Sequence, residues 1–416
     1  MAGFSIPLSG LAAASDSLDV IANNLANLNT DGYKDESVNF ASIFNQALGT
    51  SGNGDPIQIG DGVQASGTTS NFSNGNPNAT GDTSNMALQG NGFFVVQGNG
   101  GAVQYTRDGD FTQNSAGQLV NQAGQTVMGF PVVNGVVQTA GQLAPINVTQ
   151  PATVEATATT QFSMPVNLDA TAANGSNFTS TVPMVDSLGN SLNVTITYTK
   201  TANNTWSYAA TVPSADVQGG TGTTTTLATT GSGTLTFDSS GNLTNATPAP
   251  TFTVPTLADG AAGGTVTWNL AGSGGSSLVT QEASTNSSGN VTQNGFAAGS
   301  LTGFSVEPNG TVTGTYSNGQ NLALGQVAVA TFNNNQGLQQ VGNNNFQAST
   351  SSGSANIGVA GTGGAGTIIG GDVEESNVNL STEFSNMIVA QQGYEANAKV
   401  LTTLDQVSQA TLQVLS

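Results

Sequence analysis

The chain has 416 residues, with 24 acids against four bases (Lys34, Arg107, Lys200 and Lys399), and contains neither His nor Cys. A net charge of −20 repels phosphate backbones and anionic lipid, which argues against nucleic-acid partners and against a role at a membrane surface. Without His or Cys there is no imidazole base, thiol nucleophile, disulfide or ordinary zinc site, and no spacing of Asp and Glu marks a glycosidase pair, so neither catalysis nor a cofactor is expected.

Leu11, Ala14, Leu18, Ile21, Leu25 and Leu28 recur at steps of three and four, a heptad seam that predicts a helix over residues 1–30 stopped by Asp31-Gly32. The first positive charge is Lys34, and no apolar run approaches the roughly 18 residues of a membrane span, so neither a cleaved signal peptide nor a spanning helix is expected. Residues 31–85 are rich in Gly, Asn and Ser, with Phe40, Ile43 and Phe44 as a small apolar anchor, and predict an extended connector that packs along another element.

From 86 to 150, short apolar runs are punctuated by Asn-Gly and Asp-Gly, the strongest hairpin signals. Asp108 and Asp110 lack the Gly and Glu of a calcium loop and read as turn residues, with Arg107 as an ion-paired structural residue. From 151 to 294 Thr and Ala dominate, and strands are expected at 159–168, 191–200, 206–212, 233–237 and 265–270, forming an inserted outer β domain. Residues 295–360 share the strand-and-turn pattern of 86–150 and are expected to pair with them as one discontinuous core. Residues 361–373 lead back through a second connector.

The last segment, 374–416, carries Leu380, Phe384, Met387, Gln391, Tyr394, Ala398, Leu401 and Leu404 on one helical face, continued by Val407, Leu412 and Leu415. Glu383, Asn386, Glu395, Lys399 and Gln409 take the opposite face, Asn379 and Ser381 are candidate caps, and Gly393 is a candidate bend. The fold class is thus mixed and mainly β: two β-rich domains, the outer inserted in the inner, on a coiled-coil pair of N- and C-terminal α-helices.

Three groups of residues are similar to known motifs. Ile21-Ala-Asn-Asn-Leu-Ala-Asn27 running into Thr30-Asp-Gly-Tyr-Lys34 resembles the N-terminal signature of the flagellar axial family of rod and hook proteins, with Asn23, Asn24, Asn27, Gly32 and Tyr33 as its motif positions. Asn91-Gly-Phe-Phe-Val95 and Tyr105-Thr-Arg-Asp-Gly-Asp-Phe111 resemble that family's core. Glu375-Ser-Asn-Val-Asn-Leu-Ser-Thr-Glu383 and Tyr394-Glu-Ala-Asn-Ala398 resemble its C-terminal segment. Length, the insertion, and Val185-Asp-Ser-Leu-Gly-Asn190 resemble the hook members more than the shorter rod members.

The resemblance implies a subunit that polymerises with itself into a short curved tube transmitting torque from rod to filament. In that plan the terminal helices form an inner tube around an export channel, with Leu11, Leu18, Ile21, Leu25, Leu28, Phe384, Met387, Tyr394, Leu401 and Leu404 in the interface. The core forms the next layer and the insertion the outermost. The further partners implied are rod and hook–filament junction proteins, with a hook cap and the export apparatus during assembly, and the location is outside the cell in the flagellum. The alternatives are a distal rod or hook-associated axial protein and, from a different class, a secreted β-rich adhesin with a coiled-coil handle.

Overall fold

Two long helices bracket the chain, α1 over Ser5–Ala26 and α2 over Leu380–Leu415, and between them the regular elements among the described residues are strands apart from two short 3-10 turns. The computed structural model describes residues 4–43, 46–50, 56–98, 100–227, 232–247, 250–272 and 274–415; Phe44 of the expected anchor lies outside them. Two compact units result, one of Met1–Gln150, Gly303–Thr315 and Asn321–Ser416, the other of Pro151–Thr302 and Tyr316–Gln320.

In the first unit α1 ends four residues short of the expected stop. Past Ala26 the backbone tightens into shorter-range bonds, Leu28 N to Leu25 O and Thr30 N to Asn27 O, so Leu28 stands in the turn and not on the helix. The stretch expected as an extended connector packing along another element is built of paired strands. Strand Glu36–Ser42 runs antiparallel to Val63–Ser70, and Gln46–Thr50 to Pro56–Ile59, forming an arm. Ser9 Oγ accepts from Val63 N at 3.2 Å and Ser5 Oγ donates to Asp61 at 3.3 Å, which fixes the base of the arm to α1. A Cβ on Gly62 would stand 2.2 Å from Ser9 Oγ, so only glycine allows this approach.

The core of the unit is built on Phe93–Gln97, a strand apolar on both faces. Phe94 and Val96 pack with Phe111, Val127 and Val329, while Phe93 and Val95 pack with Phe332 and Phe346 on the other side. Strands from both sides of the insertion meet here: Val329 is paired with Phe94, Val327 with Gly129, and Phe346 with Tyr105. The return to α2 is made by Thr367–Gly370 on Met86–Gln89 and Asp372–Glu374 on Pro77–Ala79.

The second unit folds around Asn177–Val185, Ser191–Ala202, Thr205–Pro213 and Ser232–Phe237, paired antiparallel in that order. Alternate residues point inward, among them Val194, Ile196, Tyr198, Trp206, Tyr208 and Ala210. They meet the rings of Phe162, Phe252 and Trp268 from a second sheet. The single strand expected over 159–168 is two, Gln161–Ser163 and Val166–Asp169, in different sheets. Pro165 has no N–H to offer the ladder and separates them. Strand Asn177–Val185 lies outside the expected set, because Gly175 and Pro183 bracket and interrupt an otherwise alternating run.

Candidate assembly surface

The Asn-rich end of α1 is a hydrogen-bonded tie. Asn24 is completely buried, and both ends of its amide are used: Nδ2 donates to Glu36 O at 2.8 Å and to Glu383 Oε2 at 3.3 Å, while Oδ1 accepts from Glu36 N and from the Tyr33 hydroxyl, each at 3.1 Å. One side chain therefore joins α1, the first strand of the arm and α2, and an apolar residue there would leave those groups unpaired. Asn23 donates to the Tyr33 hydroxyl at 3.1 Å, and Asn27 accepts from Thr30 Oγ1 at 3.1 Å. Gly32, at φ +68°, donates to Glu374 O at 2.7 Å, and a Cβ there would lie 2.4 Å from Asp108 N.

Behind this turn lies a buried ion triad. Glu374 accepts from Lys34 Nζ at 2.6 Å and Gly75 N at 2.8 Å through one oxygen, and from Arg107 Nη1 at 3.3 Å through the other. Arg107 also donates to Leu88 O and Gly90 O and lies 5.4 Å from the Phe93 ring centroid. Burial pulls both cations below their ordinary pKa, opposed by Glu374. Arg107 is ion-paired as expected, but with Glu374 and not with the acids beside it in sequence. Asp108 caps its own turn by accepting from Asp110 N at 3.0 Å. Burial, with Asp110 and Asp31 nearby, pushes its carboxyl up to about 6. Among the described residues no group of acids is arranged to hold a metal ion.

The two helices run antiparallel in fixed register. Asn24 meets Glu383, and fourteen residues away on either helix Gly10 meets Asn397, whose side chain a Cβ at Gly10 would approach to 2.8 Å. Fourteen residues are two heptads, so one seam is maintained along α1. On α2 the covered positions are Glu383, Met387, Ala390, Gly393, Asn397, Ala398, Leu401 and Leu404. Glu383, expected on the polar face, is thereby corrected: it is 5% exposed, because Asn24 supplies its partner inside the seam. On α1, Ile21 is buried and Leu11, Leu18 and Leu25 are half-buried, as is Leu28 beyond the helix.

Phe384 and Tyr394, expected on the same seam, are 48% and 44% exposed, and Ile388, Val389, Val400, Val407 and Leu412 are exposed as well. Both rows repeat every seven residues and differ in phase: Glu383, Ala390 and Asn397 take covered positions, and Phe384, one residue on from Glu383, is turned about 100° away from it. Asn379 is the cap, accepting from Ser381 N at 3.0 Å and Thr382 N at 3.2 Å, and α2 continues unbroken through Gly393.

The chain matches four family models in order: "Flagella basal body rod protein" over residues 6–34, "Flagellar hook protein FlgE/F/G D1 domain" over 87–167, "Flagellar basal body protein FlaE D2 domain" over 163–296, and "Flagellar basal body rod FlgEFG protein C-terminal" over 369–414. It is 36% identical to the flagellar hook protein FlgE of Escherichia coli K12, over 97% of this chain and 98% of that one. The chain belongs to the flagellar hook protein family. Hook proteins of Treponema pallidum and Borreliella burgdorferi are 31% and 32% identical, each over 98% of both chains. A crystal structure of the Helicobacter pylori hook protein FlgE2 shares the fold, with a TM-score of 0.53 at 14% identity, over 70% of this chain and 98% of that one.

As a member of the hook protein family the chain is a structural, axial component of the flagellum, and that family assembles by self-polymerisation. Sequence reasoning missed Glu374 and Glu383 as partners of the N-terminal motif. The available signal was scarcity: with four bases in the chain, a Lys beside the motif and an Arg in the core each require a carboxylate from elsewhere if buried.

Proposed function

We propose that the chain is the repeating unit of a short curved tube that couples rod to filament and encloses an export channel. Segments 1–30 and 374–416 form its inner wall, 31–85 and 361–373 connect, 86–150 with 295–360 form the core, and 151–294 is the inserted outer domain. The exposed apolar side chains of α2 support this most directly. Ile388, Val389, Tyr394, Val400 and Val407 are between 44% and 68% exposed along one helix, an apolar surface that a single chain leaves in water and neighbouring copies would cover. The partners are further copies, rod and junction proteins at the two ends, and cap and export apparatus during growth. Export proceeds without a cleaved signal, and no helix among the described residues is long and apolar enough to cross a membrane.

Electron microscopy of concentrated protein tests the reading. Wild type forms tubes, and Val389→Asp, which places a charge among these exposed side chains, remains a folded monomer by circular dichroism but does not assemble. Tubes of normal length and yield from Val389→Asp, or discrete small oligomers from wild type, refute it.

A further inference from the structure

Three of the four bases are buried, Lys34, Arg107 and Lys200, which leaves Lys399 as the one base on the surface. It stands on the side of α2 turned away from α1, and among the described residues the ion pairs are those of Glu374 alone, so Lys399 is in none. Where charged side chains of two copies meet, they therefore set acid against acid unless Lys399 is supplied.

A place that would take it exists at the other end of the helix pair. α1, α2 and the strand Glu36–Ser42 leave a cleft of about 380 Å³ lined by Val20, Ile21, Val38 and Val389 together with Asp35 and Glu36. Glu36 accepts from Gln340 with one oxygen, and the backbone N of Asp35, not its carboxylate, is what Asn377 holds. The acids converge closely enough that Tyr33, through burial first and then Glu36, Asp35 and Glu383, has its hydroxyl pushed up to about 12. Within one chain Lys399 does not reach the acids of this cleft, because even Ala390, the cleft residue of α2 nearest to it, is separated from Lys399 by about 13 Å of continuous helix, and Lys399 is on the side turned from α1. By the register of the pair, α1 begins level with about residue 402, and α2 continues to Leu415 beyond it. Lys399, Val400, Thr403 and Val407 share one side of this end of the helix, with Val400 and Val407 about half exposed or more.

We propose that the cleft receives the C-terminal part of α2 from a second copy, with Lys399 of that copy donating to Asp35 and Glu36 while Val400 and Val407 cover Val20, Val38 and Val389. A single cation placed opposite two carboxylates sets which way and how far one copy is displaced along the next, since other displacements juxtapose like charges. The proposal rests on the assembly reading above, and the two fail differently.

The test is a charge exchange scored by sedimentation and electron microscopy at low salt. Lys399→Glu and the pair Asp35→Lys with Glu36→Lys should each lower tube yield about tenfold or more with monomer helicity unchanged, and the triple variant should regain most of it. Because the chain has no Cys, Glu36→Cys with Lys399→Cys should form disulfides only between copies and give a multimer ladder from oxidised tubes. Wild type that forms no tubes overturns the assembly reading. Wild-type tubes accompanied by normal assembly of Lys399→Glu, a triple variant as poor as either parent, or cysteine-bearing tubes without multimers overturn the cleft alone.

Discussion

Replacing Glu374 with Gln should be among the most damaging single-atom changes available to the first unit. The carboxylate joins Lys34, 340 residues away, to Arg107, 267 residues away, and all three side chains are at most 2% exposed. Gln keeps the shape and one acceptor. Its oxygen can still serve Lys34 Nζ and Gly75 N, but its amide nitrogen then stands where Arg107 donates at 3.3 Å, donor against donor, with two buried cations and no counter-charge. Removing one member of a buried pair costs about 3–5 kcal/mol, and here the lost member serves two cations. Lys34→Met instead leaves Glu374 paired with Arg107 and should cost about 2 kcal/mol. Glu374→Gln combined with Lys34→Met removes one stranded cation and should cost less than the sum by roughly 1–3 kcal/mol.

Both tryptophans, Trp206 and Trp268, lie in the second unit, so tryptophan emission during urea unfolding follows that unit, whereas far-ultraviolet dichroism and hydrogen exchange also report the first. The first unit's transition should shift to lower urea while the tryptophan transition stays in place. Glu374→Gln within roughly 1 kcal/mol of wild type, or an equal shift in both transitions, would show that the triad does not hold the first unit together.

Asp108 gives a pH prediction. Its folded carboxyl is raised from 3.8 to about 6, so the folded state binds this proton more tightly and the contribution to stability falls as pH rises from about 4 to 6, then levels. Asp108→Asn keeps an acceptor for Asp110 N, and should stabilise the first unit by about 2–3 kcal/mol at pH 7 and by almost nothing at pH 4; equal effects at both pH values would contradict the burial argument. Deleting most of the second unit by joining Val154 to its antiparallel partner Gly299 through a short glycine turn should leave a soluble chain that still assembles, with altered tube stiffness, and insoluble protein would show that the cut enters the core. Along α1 only Pro7, Ala13, Ile21 and Asn24 are buried, too little apolar area to hold a helix pair firmly, so dichroism should show helix gained on assembly and protease should trim both ends of the monomer first. Terminal amides in the monomer protected as well as those of Phe93–Gln97 would count against it.

The helices and the core strands were legible because their signals are local. The three-and-four spacing around Leu18 and Leu401, and the Asn-Gly and Asp-Gly turns around Phe93, each state a structure within a dozen residues. What was not legible depends on partners hundreds of residues distant. Glu383 reads as a solvated charge at the start of a helix until Asn24 is known to be buried opposite it, and that pairing spans 359 residues. The exposure of Phe384 and Tyr394 has the same origin: the expected row and the covered row share a seven-residue repeat, and only the position of the partner helix decides which edge of the apolar stripe is covered. Their exposure then changes the meaning of the stripe. A helix apolar on more of its surface than one partner can cover has more than one interface written into it. The excess on α2, outside the row that meets α1, is the part that the fold of a single chain leaves unexplained and that contact with other copies explains.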